Sequence, residues 1–138
     1  MIRAAVAAAV LGFPAHAPAQ DPALRAAAER IQAAWLAHDV AGLVEADSLT
    51  LRLRGADEEA GAIARSQAAR IFERYLTPAS EVSFDLRTTR TAGPAQGYAE
   101  ATRRYVVRGT SDPMSETVLL GFRFSGGRWR LTEVRVTP

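Results

Sequence analysis

The 138-residue sequence predicts a single α+β domain. Three observations lead there. Apolar residues recur at helical spacing in the first half, from Leu24 to Leu76. From Glu81 onward they alternate instead. Connections at Ala92-Gly93-Pro94, Gly109–Pro113 and Ser125-Gly126-Gly127 then divide the second half into four strands. Composition narrows the chemistry further: 48% of residues are hydrophobic and 23% charged, which is ordinary for a folded domain and argues against wholesale disorder. There is no Cys, so disulfides, a thiol nucleophile and a Cys zinc site are excluded. The only histidines are His16 and His38, which excludes a multi-His metal centre, and no cofactor is expected.

Residues 1–19 read as a secretory signal peptide. Arg3 supplies a positive start, Ile2 and Ala4–Phe13 a short apolar run, and Ala17-Pro18-Ala19 the small residues of a cleavage site. The run is too short for a membrane span, which needs about 20 residues. Cleavage after Ala19 leaves residues 20–138 as one exported domain, secreted or periplasmic, with no integral membrane segment. The mature chain carries 16 basic residues, all Arg, against 15 acidic ones. That balance lacks the dense basic stripe of a nucleic-acid binder, so no nucleic-acid partner is expected.

The elements follow in order. Asp21-Pro22 starts a helix, with Asp as cap and Pro in the first turn. Leu24, Ala28, Ile31 and Trp35 give it one apolar face through about Ala37. Asp39 caps a short second helix carrying Val40, Leu43 and Val44. Leu49 to Arg54 alternates strictly and reads as a strand, and Gly55 to Gly61, around Asp57-Glu58-Glu59, reads as an acidic turn or a frayed helical piece. Ser66 is the expected cap of the third helix, whose stripes are Gln67, Ile71, Tyr75 and Ala68, Phe72, Leu76. Thr77-Pro78 ends it. In the first long strand Val82, Phe84 and Leu86 share a face, opposite Asp85. Residues 96–108 make the second, and Val118, Leu120, Phe122 and Phe124 line the third. In the last strand Trp129 and Leu131 are out of phase with Val134 and Val136, which implies a bulge near Thr132–Glu133.

This order of elements resembles the nuclear transport factor 2-like superfamily. Local patterns are similar as well: Trp35-Leu36-Ala37-His38-Asp39 at the helix-to-helix corner, Ser66-Gln67-Ala68-Ala69-Arg70-Ile71-Phe72 at the start of the third helix, and Gly127-Arg128-Trp129-Arg130-Leu131 at the start of the last strand. The resemblance covers residues 22–136 and is nearest to a secreted bacterial family defined only as a domain of unknown function. It implies three helices packed on a curved antiparallel sheet, forming a cone with a pocket. It implies no activity, because this fold hosts isomerases, dehydratases, hydrolases and non-catalytic binders.

Strand parity then tests what lines such a cone. In the strand 96–108 the set Ala99, Ala101, Arg103, Tyr105 and Val107 is the more apolar, so it is expected to face inward and Glu100 outward. With Asp85 also outward, the strands supply no inward carboxylate. That disfavours proton abstraction, which needs a buried base. The remaining catalytic candidates are Asp47 and His38, either of them with Tyr105, although a turn role for Asp47 and a helix-dipole role for His38 account for both. Arg103 is the polar anomaly: on the inner face it must pair with an acid, reach solvent, or receive a ligand carboxylate. Trp35 and Tyr75 would wall the same pocket. On the outer face Arg87, Arg104, Arg108, Arg123 and Arg130 form an Arg-rich surface suited to a homodimer through the sheet. The sequence therefore suggests a non-catalytic binding domain for a small molecule or protein partner. The alternatives are an isomerase or dehydratase using a pocket Asp or His, and a structural dimer of the cell envelope.

Overall fold

The computed structural model describes residues 21–53 and 60–138. The signal-peptide reading of residues 1–19 and the acidic turn at Asp57-Glu58-Glu59 fall outside the described residues. The elements are α1 (Pro22–Leu36), α2 (Val40–Leu43), β1 (Ser48–Arg52), β2 (Ala60–Ala64), α3 (Arg65–Leu76), β3 (Ala79–Thr91), β4 (Gln96–Val107), β5 (Pro113–Ser125) and β6 (Arg128–Thr137). The described residues form one six-stranded sheet in the order β2-β1-β6-β5-β4-β3. The expected antiparallel sheet is corrected to a mixed one. β1 runs parallel to β6, with Leu51 opposite Val134, while β2 folds back antiparallel on β1. Sequence reading missed β2 because Ala-Gly-Ala-Ile-Ala has a single large apolar side chain and shows no alternation.

α1 starts as expected. Asp21 Oδ1 accepts from the backbone N–H groups of Ala23 at 2.9 Å and Leu24 at 3.3 Å, and Oδ2 accepts from Trp129 Nε1 at 3.2 Å. One carboxylate thus caps the helix and ties it to β6. Leu24, Ala27, Ala28, Ile31 and Trp35 are buried against the sheet. The helix ends in a Schellman turn: His38 N–H donates to Trp35 O and Asp39 N–H to Ala34 O, with His38 at φ 50°. His38 therefore stands past the helix in a left-handed conformation, not in the last turn. Asp39 caps α2 through Gly42 N–H at 3.2 Å. α3 begins at Arg65, one residue before the expected cap, and no side chain caps it. The Arg65 N–H donates to Asp47 O instead, and its guanidinium reaches Glu45 O, Ala46 O and Asp47 Oδ1.

The sheet's helix-facing side carries Phe84, Ala99, Ala101, Val118, Leu120, Phe122, Trp129, Leu131, Val134 and Val136, all buried. The bulge expected in β6 is present, with Thr132 as the extra residue between the pairs Gly121–Glu133 and Phe122–Leu131. A second bulge was not foreseen. Between Glu81 and Ser83 the β3 register shifts, turning Val82 outward to 55% exposure and Glu81 toward the helices. Phe124 keeps its expected face beside Trp129 but is 41% exposed, because it lies past the helices' cover.

Gly97 sets how closely α1 approaches β4. A Cβ there would stand 2.7 Å from Leu24 Cδ2 and 2.9 Å from Cδ1. Leu24 is itself buried, so it has little room to yield. Gly97→Val should destabilise the fold by about 1–3 kcal/mol, read as a lower urea midpoint at unchanged slope.

Candidate functional site

The chemistry concentrates where β3, β4 and β5 meet the α1–α2 corner and α3. Across the inner face, Arg103 on β4 is paired in register with Phe84 on β3 and Glu116 on β5; Tyr105, one pair along, faces Glu81 and Met114. Arg103 is 1% exposed and Glu116 3%. The guanidinium makes four hydrogen bonds: Nε to Glu81 Oε2 at 2.9 Å, Nη2 to Glu81 Oε1, and Nη1 to Glu116 Oε2 at 3.0 Å and Tyr75 OH at 2.9 Å. The Tyr75 hydroxyl donates on to Glu116 Oε2, and Tyr105 donates to Glu116 Oε1 at 3.0 Å. His38 Nε2 lies 3.1 Å from Glu81 Oε1. The acceptor is a carboxylate, so Nε2 is the donating nitrogen.

Aromatic rings enclose the charge. The Arg103 Cζ lies 4.0 Å from the centroid of Tyr105, 5.0 Å from Tyr75 and 5.4 Å from Trp35. Trp35, fully buried, also packs against Phe84 and edge-on against Phe72 and Tyr75. Burial and the bond to Glu116 hold the Tyr75 hydroxyl well above the usual tyrosine range. For Arg103, burial alone works against the charged form. The bonds to Glu81 and the surrounding negative charge outweigh it and push the guanidinium above its ordinary value.

Four of the residues singled out in the sequence, Arg103, Tyr105, Tyr75 and Trp35, come together here, and His38 joins them through Glu81. Asp47 does not. Its side chain is fully exposed and sits 2.7 Å from Arg65 Nη2, remote from the cluster. Asp85 and Glu100 point outward as parity required. The expectation of no inward carboxylate is nonetheless corrected, because Glu81 and Glu116 both face the helices. Glu116 was legible: it lies two residues before Val118, on the same face. Glu81 was not, since only the bulge turns it inward.

No family model matches the chain, and no curated protein does. Solved structures do. A ketosteroid isomerase-like protein from Erwinia carotovora atroseptica superposes with a TM-score of 0.72 at 14% identity, over 85% of this chain and 96% of that one. A putative dehydratase of the NTF2-like family from Streptomyces avermitilis gives 0.64 at 12% identity, over 85% and 94%. A DUF4783 family protein from Bacteroides uniformis gives 0.64 at 12%, over 78% and 93%. The chain has the nuclear transport factor 2-like fold.

Within this nuclear transport factor 2-like fold the cluster behaves as a buried ion network. Removing one member of such a network strands the others, whereas removing the charges together costs far less. Arg103→Met should destabilise the protein by about 3–5 kcal/mol. Adding Glu81→Gln or Glu116→Gln should recover part of that loss, with a coupling of about 0.5–3 kcal/mol in each double-mutant cycle. The raised Tyr75 hydroxyl sets a second expectation. The folded chain keeps a proton that the unfolded chain releases above pH 10.0, so this contribution is whole below that pH and is lost as pH rises toward the folded value. Urea midpoints measured from pH 8 upward should fall beyond pH 10.0, and the fall should be shallower in Tyr75→Phe.

Proposed function

We propose that the chain is an exported, non-catalytic binding domain. The observation that carries this reading is how the buried polar groups spend their bonding capacity. A general base needs a lone pair aimed at its substrate. The Glu81 and Glu116 oxygens are aimed at Arg103, Tyr75, Tyr105 and His38. Arg103 is likewise committed to the two acids, which disfavours capture of a ligand carboxylate in the interior. The exposed apolar surface of the inner face lies instead at the mouth. There Val107 and Met114, on the same face as Arg103 and Tyr105, are 37% and 39% exposed beyond the helices' cover. This ledge suits a small molecule or partner segment with an apolar body.

A second reading has one observation in its favour. His38 bonded to Glu81 is an imidazole oriented by a carboxylate, 26% exposed, a pairing suited to general-base work. Ketosteroid isomerase-like and dehydratase neighbours share the fold, so isomerase or dehydratase chemistry is the alternative. Native mass spectrometry of protein taken from the periplasm of its own cell separates the readings. The binding reading expects a chain beginning at Gln20 that carries a ligand unchanged by prolonged incubation. A ligand converted by the wild type but not by His38→Gln would replace it with the enzyme reading. A ligand-free dimer would favour the structural role.

A further inference from the structure

We infer that the outer face of the sheet carries a separate site for a sugar-like ligand with one anionic group. This goes beyond the mouth of the domain and uses none of its residues. On the outer face Tyr98, Gly121, Glu133 and Thr50 form one row across β4, β5, β6 and β1. Gly121 lets the Glu133 side chain lie across the sheet beside Tyr98. A Cβ at this position would stand 2.9 Å from Glu133 Cβ and 3.2 Å from its Oε2, so any side chain would displace that carboxylate. The bulge adds Thr132 beside it. The resulting depression, about 390 Å³, is lined by Thr50, Gln96, Tyr98, Arg123, Thr132 and Glu133 among others. That size falls in the range of small-molecule sites.

The charge pattern specifies the ligand. Arg123 and Arg130 are directly opposed on β5 and β6, a pairing of like charges that costs stability. Neither has an acid partner among the described residues, and the Arg130 Nε is buried without a hydrogen bond. An anion beside Arg123, which lines the depression, relieves the like-charge cost. Glu133 lies two register pairs along from that pair, three residues from Arg130 across the bulge and about 7 Å away. Its charge is balanced by Arg135 at 3.3 Å, and as an acceptor it requires a donor on the ligand. Hydroxyls supply that donor, and also match Thr50, Thr132 and the Gln96 amide. The Tyr98 ring offers a flat apolar wall for a sugar face. An acidic group at one end and hydroxyls about 7 Å away fit a single uronic-acid ring.

Titration calorimetry on the full chain with glucuronate, glucose and inorganic phosphate tests this. Glucuronate should bind saturably, and glucose and phosphate each at least about tenfold more weakly. Arg123→Gln and Tyr98→Ala should each weaken glucuronate binding by at least about tenfold, while Arg104→Gln on the same face leaves it unchanged. Phosphate binding as tight as glucuronate, or glucuronate binding indifferent to Tyr98→Ala, would reduce the site to a bare basic patch. Absence of saturable binding overturns the proposal. So does a homodimer by sedimentation that Tyr98→Ala dissociates, since a second copy would then occupy the face. Loss of this binding leaves the reading of the mouth untouched, because Tyr105, Val107 and Met114 lie on the opposite face.

Discussion

A guanidinium withdrawn from water has to be neutralised and fully hydrogen-bonded, and Arg103 imposes that requirement on four other parts of the chain. Glu81 answers it from β3, Glu116 from β5 and Tyr75 from α3, while His38 closes the outer side from the α1–α2 corner. Each contributor belongs to a different element, so the network also fixes how those elements dock. The bulge at Glu81–Ser83 belongs to the same constraint. Without it Glu81 would face solvent, and Arg103 would lose two of its four bonds. An apolar residue at 103 would pack the same region without such demands. The network therefore costs more than it returns in stability unless it confers a specific arrangement of helices on the sheet.

The same network bears on function. In a fold that carries both enzymes and binding modules, activity lives in the groups placed in the interior, not in the architecture. Here the interior acids and hydroxyls are engaged with one another and with Arg103, and the rings of Trp35, Tyr75 and Tyr105 pack around that charge. The groups with freedom to meet another molecule stand at the edge of the cluster. His38 is held by one carboxylate and partly exposed, and Val107 and Met114 extend the inner face past α3.

The two faces of the sheet are built on different principles. The inner face is a continuous apolar surface interrupted only by the ion network. The outer face is polar: Arg87 donates to Thr102, and Arg135 bonds Glu133. Arg123 and Arg130 oppose each other across two strands, and Gly121 lies two pairs away from them. The like-charge pair and the depression that Arg123 lines thus adjoin.

What the sequence determined by itself was whatever rests on local periodicity. The α1 face, the Asp21 cap, the strand turns, the inward set Ala99–Ala101–Arg103 and the bulge at Thr132 all followed from residues within a few positions of one another. The burial of Glu116 was equally local, because it shares the parity of Val118. Tertiary structure decided what depends on partners distant in the chain. β2 exists because β1 offers it an edge; its own side chains carry no strand pattern. Glu81 turns inward because Arg103, 22 residues away, supplies the charge that compensates the bulge. His38 adopts a left-handed turn that no helical pattern announces, and so reaches β3 instead of capping α1. Periodicity records which face a residue shares with its neighbours, but the pairing of a buried charge is an agreement between strands, and only the folded chain brings its parties together.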